Sequence, residues 1–155
     1  MRKPIWSGLV FCALLGCAGP KSSTGGNEPV AAMPSTPAAL RVTESPAPKD
    51  DIVLKSVELQ GDTLVAKVMH SGGCKPHTYD LLWNGSFQKP ASGEAQAELV
   101  LAHDANGDTC EALLNRTASF DLGPLKQRWR EQNKSEHGAV ELRFTGSQLT
   151  ARYAF

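Results

Sequence analysis

From Asp51 to Phe155, apolar and polar side chains alternate with the period of two that places every second residue on one face of a β-strand. The first run, IVLKSVELQ (52–60), alternates with a hint of a phase slip at Val53 and Val57. Gly61-Asp62 then offers a turn, and TLVAKVMH (63–70) alternates cleanly through Leu64, Ala66 and Val68. HTYDLLWNG (77–85) sets Tyr79, Leu81 and Trp83 on one face and ends on Asn84-Gly85, a strong turn signal. AQAELVLAH (95–103) contributes Ala97, Leu99 and Leu101, and RTASFDL (116–122) contributes Ala118, Phe120 and Leu122. GAVELRF (138–144) and QLTARYAF (148–155), separated by Thr145, Gly146 and Ser147, read as a hairpin. About seven strands in roughly a hundred residues predict an all-β fold, an antiparallel sandwich over 51–155.

One segment keeps a different period. GPLKQRWREQ (123–132) carries Pro124 at its start, where a missing amide proton costs a helix nothing, and Leu125 and Trp129 four residues apart. It predicts a short amphipathic crossover helix, with Leu125 and Trp129 packed on the end of the sandwich. NKSEHG (133–138) is the polar loop that leaves it. A domain of this size has Val, Leu, Phe and Trp enough for one modest core and gains from a covalent staple.

The N-terminal third shows neither period. MRKPIWSGLVFCALLGC (1–17) begins with Arg2 and Lys3 and continues with a mostly apolar stretch, Ile5 to Leu15. That stretch is too short to cross about 30 Å of hydrocarbon as a helix, so residues 1–16 read as a signal peptide. Leu14-Leu15-Gly16-Cys17 resembles the bacterial lipobox, which implies cleavage before Cys17 and acylation of its sulfur. Two acyl chains on one cysteine hold a protein at a membrane where one chain is marginal. Ala18, not an acidic residue, implies by resemblance to enterobacterial sorting an outer-membrane anchor facing the periplasm or the cell surface. The rest of the segment, through Asp50, is rich in Pro, Ser, Thr, Ala and Gly and has no aromatic residue. Residues 17–50 therefore read as the lipidated cysteine followed by a disordered, semi-extended linker. The charges cancel, 16 Lys and Arg against 16 Asp and Glu, so nothing in the balance attracts nucleic acid.

Composition matters most through cysteine. Of four, Cys12 leaves with the signal and Cys17 is acylated, so Cys74 and Cys110 remain outside the cytoplasm. Two such cysteines in one small domain point to a disulfide. Closing a loop of about 37 residues contributes roughly 4 kcal/mol by constraining the unfolded chain. A second reading uses the same sulfurs as ligands: Cys74, His77, His103 and Cys110 form a Cys₂His₂ set suited to zinc or copper, with His70 able to replace either imidazole. A third makes Cys74 a nucleophile activated by His77, but neither an orienting group nor an oxyanion hole is visible. Asp104, Asn106 and Asp108 alternate as in a calcium loop, yet Thr109 stands where the loop needs Gly and Asn115 where it needs Glu. A tight turn accounts for that run. Gly72 and Gly73 fit a turn or bulge.

SGGCKPHTYDLLW (71–83), LVLAHDANGDTCEA (99–112) and FDLGPLKQRW (120–129) together resemble a group of uncharacterised bacterial lipoproteins of the NigD-like C-terminal β-sandwich type. Their shared pattern, a Gly-Gly-Cys-x-x-His segment and a later His followed by Asp-x-Cys, falls on Cys74, His77, His103, Asp108 and Cys110. The resemblance implies fold and location and carries no activity. The expectation is a membrane-anchored, non-enzymatic binding or structural domain without a cofactor, meeting an envelope protein or a small ligand. The alternative is an envelope zinc or copper protein using the Cys/His cluster.

Overall fold

The computed structural model describes residues 36–91 and 93–155, so the expected signal peptide, Cys17 and the first part of the linker lie outside the described residues. In chain order the elements are β1 (Ala38–Ala39), β2 (Arg41–Val42), β3 (Val53–Gln60), β4 (Thr63–Gly72), β5 (Thr78–Trp83), β6 (Ala95–Asp104), β7 (Ala112–Asp121), α1 (Gly123–Asn133), β8 (Ala139–Phe144) and β9 (Thr150–Ala154). They make two sheets, ordered β1-β7-β4-β3 and β2-β5-β6-β8-β9. The seven long strands are those the alternation predicts, and the molecule is an all-β sandwich. Its core holds the inward residues of both sheets: Leu64, Ala66 and Val68 of β4, Ala118 and Phe120 of β7, Leu81 and Trp83 of β5, and Ala97, Leu99 and Leu101 of β6.

The hinted phase slip is a β-bulge. Register steps from Leu54 opposite Val68 to Ser56 opposite Lys67, leaving Lys55 as the extra residue. The extra residue restores the inward phase, and Val57 and Leu59 then pack against the core. Pairing is antiparallel between β3 and β4, β4 and β7, β5 and β6, and β8 and β9. It is parallel between β6 and β8, a departure from the expected all-antiparallel sandwich. The helix explains it: α1 carries the chain from β7 in one sheet to β8 in the other, and a parallel neighbour needs such a crossover rather than a tight turn.

The expected linker gives up its last part to the fold. Ala38-Ala39 pairs in parallel with β7 and Arg41-Val42 with β5, while Leu40 between them is buried at 3 % exposure. Composition could not show this, because backbone pairing at an exposed sheet edge needs no apolar period. One leucine then anchors a chain that crosses from one sheet to the other.

Helix α1 behaves as predicted. Leu125 is fully buried, and Trp129 packs edge-on against Phe155 at 5.5 Å between ring centres. Pro124 occupies the first turn, and Lys134, in the left-handed conformation, ends the helix by donating its amide to the Arg130 carbonyl. Gly138 lies under the Trp129 ring so closely that a β-carbon there would come within 2.5 Å of it.

Candidate functional site

The inward faces of β4 and β6 are apolar until each ends in a histidine. On β4 the series Leu64, Ala66, Val68 continues to His70, and on β6 the series Ala97, Leu99, Leu101 continues to His103. The strands belong to opposite sheets, so the two imidazoles meet inside the sandwich at one end, at 5 % and 2 % exposure. Tyr79 of β5 stands directly opposite His103 in register and stacks on it, 5.5 Å between centres. His77 enters from the loop between β4 and β5, its side chain equally buried. Ring centres of His70 lie 4.2 Å from His103 and 4.7 Å from His77.

The partners of these rings determine where the protons sit. His103 donates from Nδ1 to the Asp51 carbonyl at 3.0 Å, which leaves Nε2 as an acceptor. His77 donates to that nitrogen from Nδ1 at 2.7 Å. Its other nitrogen, Nε2, faces Asp108 Oδ2 at 3.1 Å, and a carboxylate can only accept. His77 thus bridges His103 and Asp108 through its two ring nitrogens. His70 donates from Nδ1 to the Ser71 carbonyl at 2.8 Å, so its Nε2 accepts from the Tyr79 hydroxyl at 2.5 Å. Burial holds the pKa of His103 below the usual histidine value, with the Asp51 carbonyl opposing and the neighbouring imidazoles adding to the fall. Burial pushes the Tyr79 hydroxyl up, against the pull of Arg116.

Asp108 organises the two loops that close this end. Its Oδ2 accepts the amides of Gly73, Cys74 and Lys75 at 2.8, 2.8 and 3.0 Å, and its Oδ1 accepts that of Cys110 at 3.0 Å. The Cys110 amide, the hydrogen bond to the His77 ring and the Cys74 and Lys75 amides hold its carboxyl well below the ordinary carboxylate range, against the effect of burial. Lys75 adds bonds from Nζ to the carbonyls of Asn106 and Gly107. Cys74 and Cys110 are joined by a disulfide across the same loops, with their α-carbons 5.9 Å apart. Gly72, at φ +136°, lets the His77 ring lie against the main chain: a β-carbon there would come 2.5 Å from Cε1.

The expected residues therefore meet, in a different combination. The disulfide takes both thiolates out of the Cys₂His₂ set, and it removes the thiol that a Cys74 nucleophile needs. His77 and His103 do converge, joined by His70 rather than by sulfur. The calcium-like run is a turn, as expected: Asp104 accepts the Asn106 amide and pairs with Lys49, while Asp108 points to His77. Tyr79, the Asp51 carbonyl and the close approach over Gly72 were missed as parts of one site. The signal for the first was present, since Tyr79, His70 and His103 all continue the inward phase of their strands. A recess of about 230 Å³ opens on the cluster, lined by His70, His77, Tyr79, Lys75 and Arg116 among others.

Fold and site together define a two-sheet β-sandwich domain with a disulfide-stapled, histidine-lined end. Residues 57–141 match the NigD-like C-terminal β-sandwich domain, and the chain belongs to that family. Among solved structures it is similar to a NigD-like immunity protein from Bacteroides caccae, at 16 % identity and TM-score 0.48 over 75 % of this chain and 57 % of that one. It is also similar to a protein of unknown function from Bacteroides vulgatus, at 18 % identity and TM-score 0.40 over 70 % of this chain and 48 % of that one. The chain thus spans less than two-thirds of either. No curated protein sequence matches it.

Proposed function

We propose that the chain is a lipid-anchored protein of the bacterial envelope whose β-sandwich head acts by binding rather than by catalysis. The observation that carries this reading is the Cys74–Cys110 bond, because structural disulfides form and persist outside the reducing cytoplasm. The Leu-Leu-Gly-Cys17 lipobox supplies the anchor, and the Pro- and Ser-rich residues before Ala38 supply the spacer. Ala18 favours the outer membrane. The recess beside Tyr79 and Arg116 is the surface offered to a small ligand or to an envelope partner. Expression in a bacterial host with radiolabelled palmitate tests the anchor. Label and membrane fractionation that both vanish in Cys17→Ala are the expected result; an unlabelled, freely soluble wild-type protein overturns it.

A further inference from the structure

We infer that His70, His77 and His103 form a transition-metal site for one zinc or copper(II) ion, distinct from the sulfur-containing set that the sequence offers. One ring nitrogen from each of the three lies within 4.8 Å of the other two. The stronger observation is what the remaining nitrogens do. His70 Nδ1 donates to the Ser71 carbonyl, His77 Nε2 to the Asp108 carboxylate and His103 Nδ1 to the Asp51 carbonyl. Each imidazole is thus held by an oxygen acceptor at one nitrogen, with the other left for the interior. That is how metal-binding histidines are fixed in tautomer and orientation, by outer oxygens that also raise their basicity.

The inner nitrogens of His77 and His103 now share a proton at 2.7 Å. An ion takes that proton's place. Tetrahedral ligands about 2.0–2.1 Å from zinc stand roughly 3.3 Å apart, so the two rings need to separate by about half an ångström. His70 turns its Nε2 from the Tyr79 hydroxyl to the ion, and the recess beside Tyr79 gives the entry path and the open fourth position. Three imidazoles with no thiolate and one phenol nearby suit zinc and copper(II) rather than calcium or magnesium, which take oxygen ligands. The placement also accounts for a feature that strand packing does not require. Leu or Val at positions 70 and 103 would continue the core, yet two imidazoles are buried there instead, with the side chain of His77 buried against them.

This inference does not depend on the anchor. Its test uses the full chain carrying Cys12→Ser and Cys17→Ser, freed of metal and titrated with zinc and, separately, with copper(II). One ion per chain is expected, with X-ray absorption of the zinc form and electron paramagnetic resonance of the copper form each showing three imidazole nitrogens and no sulfur. Asp108→Asn, which keeps all three rings, should weaken binding by about 10–100-fold. His103→Phe and His70→Phe should weaken it further, and circular dichroism identifies a variant that has lost its fold. No binding at one equivalent, sulfur in the coordination sphere, or affinity unchanged in well-folded His103→Phe overturns the site.

Discussion

Strand β4 runs from one end of the sandwich to the other, and the two ends are closed in different ways. Before Thr63 stands Asp62, which accepts the Tyr153 hydroxyl and the Lys126 ammonium, both at 2.7 Å, beneath a lid made of α1 and Phe155. Roughly 30 Å away, at the length ten extended residues span, stand His70 and Gly72 beneath two loops tied by Asp108 and a disulfide. Each end has a carboxylate that receives donors and a ring lying on a glycine, Trp129 over Gly138 and His77 over Gly72. The balance of forces differs. The Asp62 side chain is 46 % exposed while Leu125 of the lid is fully buried, so burial of apolar area does most of the closing there. The Asp108 side chain is 1 % exposed and receives five donors, so directional bonds and one covalent link do it at the other end. A lid held by apolar area tolerates changes of shape. A buried polar cluster does so only while every member keeps its partner.

Removing the staple should show the largest effect. Cys74→Ala with Cys110→Ala frees a 36-residue separation and should cost about 4 kcal/mol in guanidinium unfolding, less any strain released. A loss below about 1 kcal/mol would mean that Asp108 alone holds the loops. At the helix end Leu125→Ala should cost about 2–5 kcal/mol through the cavity it leaves. Of the two, only the cysteine change should be reproduced by adding reductant to the wild type.

The glycines sharpen the contrast. In Gly138→Ala the new methyl meets the Trp129 ring, a partly exposed side chain on a lid that can shift, and about 1–3 kcal/mol is expected. In Gly72→Ala the methyl meets the His77 ring, which Asp108 and His103 hold from both sides, and φ +136° is itself strained for any residue but glycine. Thermal melting should therefore rank Gly72→Ala as the more damaging, and the reverse order would deny that the histidine end is the more rigid.

Much of this was legible in the sequence for a physical reason. Alternation reports which face of a strand is buried, so the seven long strands and the inward phase of His70, Tyr79 and His103 were readable from IVLKSVELQ to QLTARYAF. Cysteine count and compartment pointed to Cys74–Cys110 pairing. Alternation says nothing about which strands pair, and the parallel β6–β8 contact escaped notice because it depends on where α1 delivers the chain. Ala38 to Val42 escaped because two-residue edge strands bond through backbone alone. The histidines were read by spacing to their nearest cysteine. Their true neighbours come from the opposite sheet for His70 and His103, and from a loop 26 residues away for His77 and His103, relations that no local motif encodes.

The smallest expected effect separates the ends by pH. Burial holds the His103 imidazole below its ordinary value of 6.5, so in metal-free protein the unfolded chain takes up a proton near that pH while the folded one resists. The unfolded state then binds more protons, and this contribution is complete above pH 6.5 and declines as pH falls below it. Asp62 titrates lower: its bonds to Lys126 and Tyr153 depress its pKa from 3.8, so its contribution persists to about pH 4 and fades in more acidic solution. Melting temperature measured from pH 8 to 3 in the presence of EDTA should show two declines. His103→Phe should remove the upper one and leave the lower, and Asp62→Asn should reduce the lower one while Asp108, also held low, maintains the rest. A single decline below pH 4 that His103→Phe does not alter would mean that the buried imidazole accepts its proton without cost, and the contrast between a polar end and an apolar end would lose its electrostatic half.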